Sequence, residues 1–316
     1  MSNKRILITA IGSFSASCAI RVLKKKGYYV VGTDIYPAEW HFESTLCDKV
    51  YRVSLATEGE SYIENLIEIA AKEEIMGIIP LTDIEIDVIN IYRKRFEDIG
   101  INLYIQSQET LGIVRDKSKL SKLFSKDYKV NIPFFCDSES LIMEFPLPAI
   151  AKPRNGRSSE GVAKILTKAQ LEYYNKKKNY IIQEFIEGSI CTVDYIRDYN
   201  GDDFSIAREE LLRTKNGAGT TVRVFFNEKL KDTVSYIGGV LNIVGCVNME
   251  FILFNDEYYL IDINPRFSAG VAFSNLVGYD MISNHISAIN GLRINQGSYY
   301  SDQILCKHYL ESVIVQ

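Results

Sequence analysis

Two carboxylates and a carboxamide stand at regular spacing near the end of the sequence. Residues 247–264 read as two apolar runs separated by the polar tripeptide 255–257, a pattern typical of a β-hairpin. If those three residues form the loop, Glu250 lies directly opposite Asp262, and the two-residue period places Asn264 on the same face. The spacing therefore predicts a patch of oxygen ligands on one face of a sheet.

This patch requires a cation. Like charges that face each other across two strands are destabilising, and hard oxygen ligands without His or Cys suit Mg²⁺, with Mn²⁺ as the alternative. We therefore expect Glu250, Asp262 and Asn264 to form a metal site. A loop of two or four residues is the competing interpretation, in which Glu250 turns away and is merely solvated.

A second candidate site is the segment KPRNGRSSEGV, residues 152–162. Lys152 ends an apolar run, and the loop behind it supplies small residues whose amides suit an anion such as a triphosphate. These small residues are Gly156, Ser158, Ser159 and Gly161. The segment is not a G-x-x-x-x-G-K phosphate loop, and a structural glycine hairpin is the alternative.

The elements that must position these residues change character along the chain. An apolar run at residues 5–10, a helical pattern at 17–26 and a second apolar run ending at Asp34 predict a strand–helix–strand unit of the parallel, doubly wound kind. Helical periodicity follows at 110–131, and beyond Pro133 short strands predict an antiparallel sheet. The predicted fold class is α/β combined with α+β.

The first turn also suggests a dinucleotide site, because a glycine follows the first strand and Asp34 follows the second. Measured from Gly12, however, Phe14 and Ser17 stand where the fingerprint requires glycine. An NAD-dependent oxidoreductase is therefore a minor alternative. The other interpretation is a tight turn that contacts a small substrate through Ser13 or Ser15.

Composition excludes several classes of partner. The 316 residues carry 36 basic and 40 acidic side chains, a formal charge of −4, so no global basic field favours nucleic acid or an anionic membrane. No apolar run approaches the roughly 20 residues of a membrane helix, and the N-terminal residues do not resemble a signal peptide. We expect a cytoplasmic protein, and a homodimer is the commonest assembly if it self-associates.

The order of these features resembles the ATP-grasp superfamily, specifically its carbamoyl-phosphate-synthetase-like branch, which includes the pyrrolysine-biosynthesis amide ligase. The motifs that carry the resemblance are, in order, PLTDIE, RDKSKL, AKPRNG, QEFIEG and DINPR. The resemblance implies a Rossmann-like pre-ATP-grasp domain followed by a two-part ATP-grasp fold. The implied domains are 1–108 (pre-ATP-grasp), 109–188 (small lid subdomain) and 189–316 (large subdomain with the metal and substrate site).

The resemblance also implies roles for residues at matching positions. Lys117 and Lys152 would bind ATP phosphates beneath the 156–161 loop, and Arg266 would steady the transferred phosphoryl group. In QEFIEG, Gln183 would face the adenine amino group, and the backbone of Glu184 and Ile186 would contact the adenine edge. The full set implied for the nucleotide is Lys117, Lys152, Gly156, Ser158, Ser159, Gly161, Gln183, Glu184, Phe185, Ile186 and Glu187.

The activity implied is that of an ATP-dependent carboxylate–amine ligase working through an acyl phosphate, with small-molecule substrates that include an amino acid. Arg208 and Arg213 are candidates for gripping the substrate carboxylate or acyl phosphate, and solvated surface arginines are the alternative. Ile190 departs from the family, because many relatives have a ribose-binding acidic residue there; Glu187 would substitute. That departure supports the competing prediction of a nucleotide-binding sensor or partner subunit without catalysis.

Overall fold

The computed structural model describes residues 4–137, 145–156 and 160–314. Its first part is a parallel sheet with the strand order β3-β2-β1-β4-β5. These strands are β1 (Arg5–Ile8), β2 (Tyr29–Asp34), β3 (Lys49–Arg52), β4 (Gly77–Ile79) and β5 (Asn102–Leu103). Near-continuous apolar runs form β1 and β4 because both faces of a parallel sheet are covered by helices.

Helices connect these strands and lead into the second part of the chain. They are α1 (Ala16–Lys25), α2 (Glu60–Lys72), α3 (Asp83–Ile91), α4 (Arg93–Glu97), α5 (Gln108–Val114) and α6 (Lys117–Phe124). The continuous helical pattern predicted over 110–131 is wrong, since α5 ends at Val114 and α6 begins at Lys117. Asp116 causes the break: its carboxylate caps α6 by accepting the N–H groups of Ser118 and Lys119.

A small antiparallel sheet follows, with the order β6-β9-β7-β8. Its strands are β6 (Phe135–Asp137), β7 (Ala149–Pro153), β8 (Ala163–Ile165) and β9 (Tyr180–Glu184), and α7 (Lys168–Asn175) packs beside them. The predicted phosphate loop joins β7 to β8. We refer to this layer as the lid sheet.

The last part is a larger antiparallel sheet with the order β14-β13-β10-β11-β12-β15, which we call the platform. Its strands are β10 (Ser189–Arg197), β11 (Asp203–Arg213), β12 (Gly219–Phe225), β13 (Gly245–Phe254), β14 (Glu257–Asn264) and β15 (Gln303–Cys306). The helices of this part are α8 (Glu228–Val240), α9 (Val271–Leu276) and α10 (Met281–Ile289). The predicted domain boundaries fall between the three sheets, and the division into domains stays a prediction.

The parallel sheet and the platform share one apolar core. Ile20 and Leu23 of α1 are fully buried in the same cluster as Met281 and Ile286 of α10. His285 reinforces this junction, because its ring bonds to backbone atoms of both parts. The mixed fold class predicted from the sequence is confirmed. Across the described ranges, every helix is too short or too polar to cross a membrane.

Candidate functional site

The three sheets meet around a cavity of about 750 Å³. The platform forms its floor, the lid sheet covers one end, and the turn after β1 together with the start of α3 closes the other end. Of the predicted site residues that the structure describes, all line this cavity except Gly161. Ser158 and Ser159 lie outside the described residues. Distant stretches of sequence are thus brought to one place.

The hairpin of β13 and β14 shows why Glu250 and Asp262 face each other. The loop predicted at 255–257 is wrong: it contains only Asn255 and Asp256, both with positive φ, as a two-residue hairpin turn requires. With a two-residue turn and no bulge, Glu250 would pair with Ile261, and Asp262 would lie on the opposite face of the hairpin. A β-bulge at Ile261 adds one residue to β14, so that Glu250 still pairs with Asp262.

The predicted metal ligands form one contiguous patch on the platform. The Asn264 amide donates to Glu250 Oε1 over 3.0 Å, which leaves the Asn264 carbonyl oxygen as its ligand atom. Burial, together with the neighbouring Asp262 carboxylate, raises the pKa of Glu250. Two carboxylates that repel each other at the floor of a cavity, beside an amide oxygen, are a donor set that fits Mg²⁺.

In the described parts of the chain, no group of three or more His, Cys, Asp or Glu side chains is arranged to hold a metal ion. The candidate site here contains only two such side chains, Glu250 and Asp262, and its third ligand is the amide oxygen of Asn264. Such a sparse set suits Mg²⁺, which keeps several waters and completes its shell with substrate phosphates.

Lysine ammonium groups flank the metal patch. Lys117 Nζ lies 2.8 Å from Asp262 Oδ2 and donates to the Gly156 carbonyl over 3.0 Å. Lys152 is buried and donates to the carbonyl of Ile261, the bulge residue, over 3.0 Å. Burial lowers the pKa of Lys152 to about 8. Both cations therefore sit where they can neutralise phosphate oxygens beside the metal patch.

Three consecutive side chains tie the parts of the site together. Arg115 donates to Asp87 of α3 over 2.8 Å from two nitrogens, whereas Asp116 accepts two bonds from Arg154, at 3.0 and 2.7 Å. Lys117 reaches the hairpin through Asp262. The tripeptide 115–117 thus connects the N-terminal part, the lid sheet and the platform. Sequence reasoning assigned a role only to Lys117.

The lid end carries the predicted adenine contacts. Gln183 is buried and its amide nitrogen donates to Ser121 Oγ over 3.2 Å, so its oxygen is the atom that can accept from an amino group. The N–H of Glu184 already donates to the Phe134 carbonyl, so a base contact there would use the Glu184 carbonyl. The ring of Phe185 lies under Lys164 Nζ at 3.6 Å.

Two more of the predicted residues line the cavity at this end. Ile186 is buried and Glu187 is exposed at the cavity rim. Ile190 pairs with Ile252 of β13 and gives the floor an apolar surface. A sugar bound here would therefore depend on Glu187 for a carboxylate contact.

The three predicted arginines differ in their partners. Arg208 is fully buried, so the solvated alternative is wrong for it; Asp194 binds its guanidinium at 2.6 and 3.2 Å, and Ser268 and Ser274 accept further bonds. Two carboxylates flank Arg213. The closer is Glu210, and Glu250 Oε2 lies at 3.8 Å.

Arg266 follows the last metal ligand along the chain and points to the other wall of the cavity. Its guanidinium binds Asp83 at the start of α3, with Nε and Nη2 at 2.9 and 2.8 Å from Oδ2. The PLTDIE motif contributes to the family resemblance, but the sequence analysis assigned no role to Asp83. An acidic residue at a helix start, directly after an apolar strand, was the sequence signal that could have identified it.

The turn after β1 lacks the space of a dinucleotide site. The Gly12 N–H donates to Asp34 over 3.0 Å, and the same carboxylate accepts the Tyr36 N–H at 3.2 Å. His41 covers the turn: a Cβ at Gly12 would lie 2.5 Å from its ring. The groups that would contact ribose and pyrophosphate are already paired, which argues against NAD.

Comparisons with known proteins agree with this architecture. A model of the PylC-like N-terminal domain matches residues 6–104, and a model of the ATP-grasp domain matches residues 114–270. The chain is 22% identical over 306 residues to the carbamoyl phosphate synthase large chain of Clostridium acetobutylicum, covering 89% of this chain and 28% of that relative. The chain thus spans under a third of that protein's length.

Solved structures show the same fold at low identity. The biotin carboxylase domain dimer of Hydrogenobacter thermophilus 2-oxoglutarate carboxylase, in complex with MgADP, ADP and bicarbonate, aligns with a TM-score of 0.76 at 16% identity, over 95% of this chain and 71% of that one. The L-amino acid ligase of Bacillus licheniformis aligns with a TM-score of 0.71 at 16% identity, over 92% and 75%. The predicted family is confirmed: the chain joins a PylC-like N-terminal domain to an ATP-grasp domain and belongs to the ATP-grasp superfamily.

Proposed function

We propose that the protein is an ATP-dependent ligase that joins a small-molecule carboxylate to an amine, with an amino acid among its substrates. The observation that carries this proposal is the convergence of Lys117, Lys152, Glu250, Asp262 and Asn264 around one cavity. Its volume of about 750 Å³ lies within the range of small-ligand pockets. The L-amino acid ligase with the same fold supports the choice of substrates.

In the proposed reaction, a substrate carboxylate oxygen attacks the γ-phosphorus of ATP and ADP leaves, which produces an acyl phosphate. The amine then attacks the acyl carbon, loses a proton, and displaces phosphate. Lys117 and Lys152 hold and neutralise the phosphates, and Arg266 steadies the transferred group. No side chain has to act as a nucleophile.

Bound Mg²⁺ would neutralise phosphate charge and fix the orientation of the triphosphate. The residues that would hold it are Glu250, Asp262 and Asn264, and one or two ions are compatible with this donor set. Lys117 pairs with Asp262 in the structure, so an ion that takes this carboxylate would release the lysine toward the phosphates. The homodimer also stays a prediction, supported by the dimer among the structural relatives.

A nucleotide-binding sensor without catalysis is the second candidate, and Ile190 is the observation that favours it. It would bind ATP through the same lysines but would not turn it over. The experiment below therefore separates binding from phosphate release.

Titration calorimetry with Mg²⁺-ATP tests the proposal. The wild-type protein should bind, and Asp262→Asn should lose at least about 30-fold in affinity, since a metal ligand loses its negative charge. Asp256→Asn is the matched control on the same hairpin: it makes the same chemical change at a turn position with positive φ, and affinity should stay within about twofold.

A screen of carboxylate and amine pairs for phosphate release then follows on the wild-type protein. Phosphate release that requires both a carboxylate and an amine identifies a ligase. Tight Mg²⁺-ATP binding without release by any pair favours the sensor. A wild-type protein that fails to bind Mg²⁺-ATP refutes both.

A further inference from the structure

Asp83 is a buried carboxylate from the N-terminal part of the chain that reaches the phosphate end of the cavity. It is the first residue of α3 and is only 2% exposed. Thr82 and Glu85 form a capping box at this helix end, so the start of α3 is held in place independently of the Asp83 carboxylate. Asp83 is thus presented by a rigid element.

The contact between Asp83 and Arg266 restricts the arginine. Its Nε donates to Asp83 Oδ2, Nη2 lies 2.8 Å from the same oxygen as an ion-pair contact, and Nη1 donates to the Phe267 carbonyl over 3.1 Å. A guanidinium has five N–H groups, so these contacts fix its plane and still leave N–H donors on the terminal nitrogens for another ligand. Arg266 lines the cavity, where those donors can meet an anion.

A second arginine, Arg115, also contacts the Asp83 carboxylate. Arg115 Nη1 lies 3.5 Å from the second oxygen of Asp83, and the same guanidinium makes its two 2.8 Å bonds to Asp87, one turn further along α3. Burial opposes the charged form of Asp83, but the Arg266 and Arg115 guanidiniums hold its pKa below the ordinary value. The carboxylate is therefore ionised and has little freedom to move.

We propose that Asp83 is a positioning residue that orients Arg266 toward the phosphoryl group in transfer. The inference rests on the proposed function and deepens it, because it makes the N-terminal domain a contributor to the phosphate end of the ATP site. Two alternatives make different predictions. A carboxylate that only packs the domains together would affect stability and every ligand equally, and one that binds substrate directly would act without Arg266.

The test uses Mg²⁺-ADP with and without aluminium fluoride, which mimics the phosphoryl group in transfer, and measures both dissociation constants by calorimetry. In wild type, aluminium fluoride should tighten binding. Asp83→Asn and Arg266→Ala should each reduce the gain in affinity from aluminium fluoride by about tenfold, or ~1.4 kcal/mol. Their affinity for Mg²⁺-ADP alone should stay within about twofold of wild type. The double variant should lose no more than Arg266→Ala alone, since one residue acts through the other.

Asp87→Asn is the matched control, because it lies on the same helix, shares Arg115, and does not touch Arg266. It should keep the full gain from aluminium fluoride. If Asp83→Asn does not fold, Asp83→Glu replaces it and should lose the gain, because the longer side chain displaces the guanidinium.

Retention of the gain in the Asp83 variant overturns the inference. The inference is also overturned if the losses of the two single variants multiply in the double variant. It is overturned as well if the Asp83 variant loses an equal factor of affinity for Mg²⁺-ADP alone. A wild-type protein that does not bind Mg²⁺-ADP refutes the proposed function, and the inference with it. A wild type that binds but gains nothing from aluminium fluoride refutes only the role of Arg266 and Asp83.

Discussion

Two places in this chain carry a nucleotide-like pattern, the turn after β1 and the cavity above the platform. At the turn, Asp34 accepts the backbone N–H groups that a ligand would need, and the His41 ring fills the space over Gly12. In the cavity, charged groups compensate one another around an open volume, as Lys117 does with Asp262. A pattern marks a site only where space remains and where its partners can be exchanged for a ligand.

The largest expected effect concerns the cavity. Lys152→Met should weaken Mg²⁺-ATP binding about 100-fold, or ~2.7 kcal/mol, because a buried cation beside the phosphates is lost. The unliganded protein should lose no more than about 1 kcal/mol of unfolding free energy, since Met fills a similar volume and removes a buried charge. Calorimetry and urea unfolding measure the two quantities.

Lys164→Met is the control for that variant, because Lys164 lies on the neighbouring strand and its ammonium group lies over the Phe185 ring. Its effect on affinity should stay below about fivefold. Equal losses in the two variants would mean that charge near the lid, rather than the position of Lys152, controls binding.

The next effect concerns His285, which joins the N-terminal part of the chain to the platform. Its Nδ1 accepts the Cys246 N–H at 2.8 Å and its Nε2 faces the Tyr104 carbonyl at 3.1 Å, and burial lowers its pKa to about 4. Between pH 6.5 and 4 the unfolded chain binds a proton that the folded chain does not. The free energy of unfolding should therefore fall as the pH is lowered from 7.5 to 4.5, by about 2.5 kcal/mol.

Urea unfolding of wild type and His285→Gln between pH 4.5 and 7.5 measures this contribution as the difference in slope. The exposed His308 provides the control, since His308→Gln should leave the slope unchanged. Identical slopes for His285→Gln and wild type would contradict a buried neutral imidazole at the junction.

A smaller effect tests how the turn after β1 is filled. Gly12→Ala places a Cβ 2.5 Å from the His41 ring and should destabilise the protein by about 1–3 kcal/mol. His41→Ala should restore part of that loss in the double variant, because it removes the obstructing ring. Thermal unfolding of the four proteins checks this. Additive losses would show that the ring does not cause the strain.

The smallest effect concerns the tip of the β13–β14 hairpin. Asp256 has φ +63°, a conformation that glycine adopts more easily, so Asp256→Gly should stabilise the protein by about 0.5 kcal/mol. Affinity for Mg²⁺-ATP should not change, since the tip lies outside the cavity lining. A shift in affinity would show that the tip and the metal patch are coupled.

Sequence reasoning named part of the cavity lining, because those residues lie in short local motifs. It placed Glu250 opposite Asp262 for the wrong reason, since a two-residue turn and a bulge look like a three-residue loop when only residues are counted. It missed the pairing of Asp83 with Arg266, which are 183 positions apart. Local patterns report face and spacing, whereas long-range ion pairs depend on how the domains pack.

The bulge at Ile261 has a consequence for how this hairpin can change in evolution. Eleven residues, 251–261, separate the two carboxylates: eight form facing pairs, two make the turn and one is the bulge. With a two-residue turn, this odd total keeps the carboxylates opposite each other only because the bulge takes up the extra residue. Loss of one residue from this stretch can be absorbed by loss of the bulge, which leaves a regular hairpin with the carboxylates still facing each other. Lineages should therefore vary the spacing by this one residue more readily than by any other change.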